Sequence, residues 1–282
     1  MFESGPENST GSVIFVGGLL DGYHALPYLP MLGKALADHL GFSLIQVMLS
    51  SSHMGYGISS LQEDVRELDI LINFLREERG KSRLFFIGHS TGCQDAIFYA
   101  IHGVHRSAVH GLILQGPVSD REFMASTMDA YPAYLRLAER MIYAGQGQEL
   151  MVREVDVAPV SAFRFYSLAS AGGDDDMFSS DLPPSKMRKL FEQVSTPLIF
   201  VHSGRDEYIP EFVDKAQLYE RLTATSPSSV GTVILPNADH AVSDLASQTQ
   251  FCEAVVQFIK QVLYKIEQFE IAQEQSFLKM TL

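Results

Sequence analysis

Six apolar runs punctuate the chain: SVIFVGGL, SLIQVML, RLFFIGH, VHGLILQG, PLIFVHSG and GTVILP. Their apolar residues are continuous rather than alternating, as expected of strands buried on both faces. The segments between them carry apolar residues at helical spacing. Leu61, Val65, Leu68, Ile72 and Leu75 share one face; Ser60 and Glu63 form a capping box before them, and Gly80 ends the helix. Ala96, Ile97, Ala100 and Ile101 mark a helix beginning just past Ser90. Phe251, Val255, Phe258, Val262 and Ile266 stripe a final helix from about Val242 to Phe269. These stripes are core packing, not cofactor contacts. Strands alternating with helices predict the α/β class, with a mostly parallel central sheet flanked by helices.

One segment breaks this rhythm. From about residue 119 to 196 no strand signal matches the others, and the pattern is of helices joined by Gly- and Pro-rich loops. It is too long for an ordinary connection. Lying between two sheet strands, it predicts a cap or lid over one end of the sheet, inserted within a single domain spanning 1–282. No internal repeat or low-complexity tract is present.

Hydrophobic residues make up 46% and charged residues 20% of the chain, which excludes a disordered protein. No run approaches the roughly 18 apolar residues of a membrane span. The polar opening MFESGPENSTGS and the interruption of the next apolar run by Asp21 argue against a cleaved signal peptide, so a cytoplasmic protein is expected. The formal net charge of −13 repels phosphate-rich partners and favours a neutral or cationic ligand over nucleic acid. The two cysteines, Cys93 and Cys252, read as reduced core residues. No metal-ligand grouping stands out, and no cofactor is called for.

The third apolar run ends in GHSTG, Gly88 to Gly92, the G-x-S-x-G nucleophile elbow in its required context of strand, sharp turn and helix. At such a turn the serine is strained, and side chains two residues to either side would collide with the neighbouring strand and helix. Ser90 then points into the crevice at the strand ends, near a helix N-terminus that favours developing negative charge. A hydroxyl nucleophile needs a base oriented by an acid. Asp206 follows the fifth run and His240 the sixth, giving the order Ser, Asp, His of α/β-hydrolases. Glu207 and Asp239 are the competing acids; Asp239 is adjacent to His240 in sequence, which turns their side chains apart. Gly17 and Gly18 after the first strand allow close backbone approach, making the backbone amides of Leu19 and Thr91 the expected oxyanion donors.

Three further features are candidates on thinner grounds. His89 reads as elbow packing. Ser51, His53 and Tyr56, in a loop at the same sheet edge, are candidates for the pocket wall together with Gly18. Asp174, Asp175 and Asp176 in the inserted segment either attract a cationic substrate or form a solvated loop.

The stretches FVGGLLDGYHALPYLPMLGKAL, GHSTGCQDAIFYA, APVSAFRFYSLASAGGDDDMFSSDL and SGRDEYIP, spread over most of the chain, resemble a largely uncharacterised α/β-hydrolase family of fungi, plants and protozoa. That family includes a fungal esterase of the siderophore fusarinine C. The GGDDDMFSSDL segment is the more specific part of the resemblance. It implies Ser90, Asp206 and His240 as a triad, and hydrolysis of ester bonds in a hydroxamate siderophore, serving intracellular siderophore breakdown and iron release. The siderophore has free amines, in keeping with the acidic balance of the chain. One departure stands out: only about ten residues precede the first buried strand, where α/β-hydrolases usually begin with two further antiparallel strands. The expectation is therefore a serine esterase of a small-molecule ester. The alternatives are a carboxylesterase, lipase or thioesterase with the same triad, and a non-catalytic hydrolase-like binding protein.

Overall fold

The computed structural model describes residues 1–280, and only the backbone of residues 274 and 276–280. The chain order is β1 (Phe2–Ser4), β2 (Gly11–Val16), α1 (Leu29–Leu40), β3 (Ser43–Gln46), α2 (Leu61–Glu77), β4 (Arg83–His89), α3 (Gly92–His102) and β5 (Val109–Gln115). It continues with α4 (Asp120–Thr127), α5 (Tyr131–Tyr143), α6 (Ala162–Ala169), α7 (Pro184–Phe191), β6 (Leu198–Ser203), α8 (Lys215–Thr225), β7 (Ser229–Leu235) and α9 (Leu245–Met280). All six expected strands are present, in a seven-stranded sheet of order β1-β3-β2-β4-β5-β6-β7. Six strands run parallel. β1 is antiparallel to β3 and protects an edge that the sequence pattern leaves bare.

Side chains of the sheet alternate between two cores. Leu84 and Phe86 face one layer, built by α2, α3, α7 and α8; Phe85 and Ile87 face the other, built by α1 and α9. Both faces of β4 are apolar because both are covered. The helix boundaries follow local chemistry. Ser60 accepts the Glu63 amide at 3.2 Å, and the chain leaves α2 through Gly80, with the Lys81 amide returning to the Leu75 carbonyl at 2.9 Å. The final helix, expected from about Val242 to Phe269, runs from Leu245 to Met280; Val242 itself adopts φ +54, outside the helical path.

The segment between β5 and β6 contributes no strand to the sheet, only one isolated bridge between Leu150 and Ser161. It divides in two. α4, α5 and α6 enclose their own small core around Ala138, Met151, Phe165 and Ala169, whereas Met187 and Phe191 of α7 belong to the main core. The α4–α6 part is tied to a 3₁₀ turn at His53–Gly57: the Ser161 amide donates to the Gly57 carbonyl at 2.8 Å.

The chain leaves β3, which pairs with one side of β2, for β4, which pairs with the other. The crevice between the C-terminal ends of β2 and β4 is a topological switch point, where sheets of this kind gather ligands.

Candidate active site

Ser90 fills the turn between β4 and α3 with φ +54. A left-handed conformation costs an ordinary residue about 1 kcal/mol or more. Two backbone bonds hold it: the Ser90 amide donates to the Gln115 carbonyl at 3.0 Å, and the Cys93 amide donates to the Ser90 carbonyl at 2.9 Å. The flanking glycines are demanded by space. A Cβ on Gly88 would lie 2.3 Å from the Gly92 carbonyl oxygen, and one on Gly92 2.2 Å from the Val16 carbonyl oxygen. α3 thereby docks against the end of β2. Gly18 sits so close that a Cβ there would be 2.7 Å from Ser90 Cβ and 3.2 Å from its Oγ.

His240 stands alongside. Its Nδ1 is 2.8 Å and 3.0 Å from the two carboxylate oxygens of Asp206, and the Tyr208 amide donates to Asp206 Oδ1 at 3.0 Å. The other two acids are occupied elsewhere: Glu207 accepts the backbone amide of His240 at 2.9 Å, and Asp239 that of Ser243 at 2.7 Å. Gln115 joins the two sides of the site, donating from Nε2 to the His240 carbonyl at 3.1 Å while its backbone carbonyl holds Ser90. The rings of Tyr208 and His89 flank the imidazole at centroid distances of 4.5 and 4.7 Å. With Nδ1–H donated to Asp206, Nε2 presents its lone pair. That nitrogen is buried and has no hydrogen-bond partner among the described residues.

His89 packs into the elbow, with Nδ1 2.6 Å from Gln115 Oε1. Burial, reinforced by His240, lowers its pKa to about 3, so it stays neutral. The loop after β2 is braced by Asp21, whose Oδ2 accepts the Gly18 amide at 2.8 Å. Among the described residues the amides of Leu19 and Thr91 find no acceptor. Gly18, Leu19 and Thr91 line a cavity of about 20 Å³ whose wall also includes Tyr56, Asp64, Asp95 and Arg164.

Asp64, Asp95 and Arg164 are residues that sequence reasoning missed. Asp64 comes from α2, Asp95 from α3 one turn past Thr91, and Arg164 from α6. The guanidinium is spoken for in part: Nη1 donates to Asp175 at 2.6 Å and Nε to the Tyr56 carbonyl at 3.0 Å. Burial raises Asp64 to about 6, against the opposing hydroxyl of Ser51 and the charge of Arg164. Asp95 is pushed well above the usual carboxylate range by burial and by Asp64. Two such carboxyls hold a proton between them at neutral pH. Asp95 Oδ1 has no partner among the described residues, an arrangement that costs about 1–3 kcal/mol. Asp120, nearby, is raised to about 7 by burial and then by Asp175. The available signal was a carboxylate on a helix whose first turns are otherwise wholly buried.

Other sequence candidates fare differently. Tyr56 is buried at the cavity wall, its hydroxyl donating to Asp156 at 2.5 Å. His53 is exposed, its ring against Gly22 outside that wall. The three consecutive aspartates do not form one cation trap, nor a uniformly solvated loop. Asp174 is exposed and accepts from Gln62 at 3.2 Å. Asp175 is sealed between Arg164 and the Ser167 hydroxyl, 2.7 Å away, and Asp176 accepts from Arg121 Nε at 3.1 Å. Successive side chains point apart, so each found its own partner. Among the described residues no group of His, Cys, Asp and Glu is arranged to hold a metal ion, and no helix is long and apolar enough to cross a membrane.

A family described as a protein of unknown function, DUF1749, matches residues 1–260. The chain belongs to the DUF1749 family. Its relatives include a UPF0613 protein of Schizosaccharomyces pombe, 30% identical over 91% of this chain and 87% of that protein. The fusarinine C esterase of Aspergillus fumigatus is 29% identical, covering 83% of each chain. Among solved structures, the siderophore hydrolase EstB of Aspergillus fumigatus superimposes with TM-score 0.75 at 25% identity, over 90% of this chain and 91% of that one. A monoglyceride lipase of Saccharomyces cerevisiae shares the fold with TM-score 0.62 at 15% identity, over 92% and 90%. This DUF1749 chain has the α/β-hydrolase fold and is a carboxylic ester hydrolase.

Proposed function

We propose that the protein is a serine esterase in which Ser90, Asp206 and His240 form the triad and the amides of Leu19 and Thr91 receive the oxyanion. The observation that carries this reading is the His240–Asp206 pair, Nδ1 to carboxylate at 2.8 Å, at the same end of the sheet as an elbow that holds Ser90 strained at φ +54; His240 Nε2 is not hydrogen-bonded to Ser90 Oγ and has to meet it when substrate is bound. In the reaction, Nε2 takes the hydroxyl proton as Oγ attacks the ester carbonyl. The imidazolium is stabilised by Asp206, and the tetrahedral oxyanion by the two amides. His240 returns the proton to the leaving alcohol, and water, deprotonated by the same nitrogen, cleaves the acyl-enzyme.

The substrate we propose is an ester of a hydroxamate siderophore of the fusarinine C type, hydrolysed inside the cell to release iron. Two relatives named for siderophore hydrolysis support this.

Ferric fusarinine C, its triacetylated form and a short-chain p-nitrophenyl ester are offered to wild type and Ser90→Ala, with products resolved by mass. Linear fusarinine fragments released by wild type alone are expected, with Ser90→Ala at least about 10³-fold slower. Hydrolysis of the p-nitrophenyl ester alone would discard the siderophore; full activity in Ser90→Ala would discard the triad.

A further inference from the structure

Four aromatic rings form a row that the triad alone does not require. It runs from Phe123 on α4 through Tyr208 on the acid loop and His240 to His89 in the elbow, with centroid distances of 4.8, 4.5 and 4.7 Å. His240 is 5% exposed, whereas Tyr208 is 40% exposed. A ring left that open gains little from burial, since the gain follows the area removed from water. Core packing is therefore a weak reason to hold Tyr208 against the imidazole.

The ring is nonetheless fixed. The Tyr208 amide donates to Asp206 Oδ1 at 3.0 Å, so the backbone that carries the ring also braces the acid. Phe123, from the inserted segment, packs against the same ring. A positive charge within about 6 Å of an aromatic centroid is attracted to the negative face of the ring, and more strongly where water is excluded. The planes of Tyr208 and His240 are inclined at 48°, with centroids well inside that limit. A neutral imidazole draws little from such a face; an imidazolium draws the full attraction.

We infer that Tyr208 is a positioning residue for ester hydrolysis, its ring face stabilising the imidazolium that His240 becomes as it takes the proton of Ser90. The inference rests on the esterase reading above, in which His240 is the base. An interaction stronger in the transition state than in the ground state raises kcat. The other groups that face the imidazole set the background. Asp206 accepts from Nδ1 at 2.8 Å, and Glu207 accepts the His240 backbone amide at 2.9 Å. Asp21, in the loop after β2, and Asp120, at the start of α4, are further carboxyls within electrostatic reach. A charged His89 would oppose the imidazolium, but burial, and then His240 itself, keep His89 neutral, with a pKa of about 3.

The test separates the charge of the ring face from its shape. Tyr208→Leu and Tyr208→Phe are compared with versions of Tyr208→Phe whose ring carries one, two or three fluorines, which withdraw electron density from the face and change its size little. With a short-chain p-nitrophenyl ester, Tyr208→Leu is expected to lower kcat about 3- to 30-fold. Tyr208→Phe should recover most of that loss. Each added fluorine should then lower kcat in steps, with KM unchanged. The acidic limb of kcat/KM reports protonation of the base. A face that favours the imidazolium keeps it protonated to higher pH, so the limb should move to lower pH as the face is weakened, by roughly 0.5 to 1.5 units at Tyr208→Leu.

A loss in Tyr208→Leu with no gradient across the fluorinated series would overturn the inference and leave the ring as packing alone. A limb that moved to higher pH would overturn it as well. Titration of the imidazole by NMR in protein labelled with 15N-histidine needs no turnover, the His240 signals being those lost in His240→Asn. Its midpoint is expected to fall across the same series in the same order; a constant midpoint refutes the contact. If no ester is cleaved and Ser90 resists a fluorophosphonate probe, the esterase reading fails, and the titration alone decides whether the Tyr208 face holds the imidazolium.

Discussion

Gly18 shows how little tolerance the site has at the scale of one residue. A single methyl there would press on both Cβ and Oγ of Ser90. Gly18→Ala is expected to fold normally yet lose activity on the order of 10²-fold, because displacement of a nucleophile by about an ångström has that effect. Unchanged kcat with an unchanged melting temperature would show that the loop after β2 yields. Asp206→Asn keeps the shape of the acid but no longer favours the Nδ1–H tautomer or the imidazolium, and kcat should fall on the order of 10³–10⁴-fold. Glu207→Gln should fall far less, since that carboxylate holds a backbone amide rather than the ring. The nucleophile and its partners were legible as residues because their chemistry comes with a local pattern of strand, turn and helix. Asp64, Asp95 and Arg164 were not, because three helices far apart in sequence bring them together. Asp175 looked like part of an acidic run until the structure paired it with Arg164, eleven positions away.

At the scale of elements, continuous apolar runs identified six strands, and helical stripes located α2, α3 and α9. The strand that went unseen is β1, with three residues of which only Phe2 is apolar; its place on the edge of β3 rests on backbone pairing and so leaves little mark in composition. The position where helix and sheet constrain each other most tightly is Gly92. Gly92→Ala sets a Cβ against the Val16 and Gly17 carbonyls, which belong to backbone that cannot rotate away. Denaturant unfolding is expected to show a loss of more than about 3 kcal/mol. Ser60→Ala, which removes only the cap of α2, should cost about 1 kcal/mol. If the two substitutions proved equally mild, α3 would not be locked to β2 as described, and the strained conformation of Ser90 would need another support.

At the scale of the whole molecule, buried titratable groups of opposite sense should set a stability optimum. Burial holds His89 and His202 near 3, whereas unfolded histidine binds its proton near 6.5. Their contribution is complete above that value and is lost as pH falls toward about 3, so stability climbs with pH across this range. Asp64 and Asp120 behave inversely, raised to about 6 and about 7, with Asp95 also raised. The folded protein keeps protons there that the unfolded chain has lost above about 4. Their contribution is fully present at low pH and disappears as pH rises through the folded values. Between about 4 and 6 the two histidines and the three carboxyls oppose each other and leave a shallow net loss; above about 6.5 the histidine contribution is complete and only the carboxyl loss remains. Urea midpoints are therefore expected to reach their maximum near pH 4 to 5, change little up to about pH 6 and decline toward pH 8. Self-repulsion of a chain with net charge −13 would also produce a decline, but salt separates the two causes. Repulsion between exposed charges is screened at high ionic strength, whereas the cost of ionising a buried carboxyl is screened much less. A decline that persists in high salt and flattens in Asp120→Asn would locate its origin in the carboxyl cluster. A decline abolished by salt and unaltered in Asp120→Asn would assign it to surface charge, and the cluster would then have to be ionised at lower pH than its burial implies.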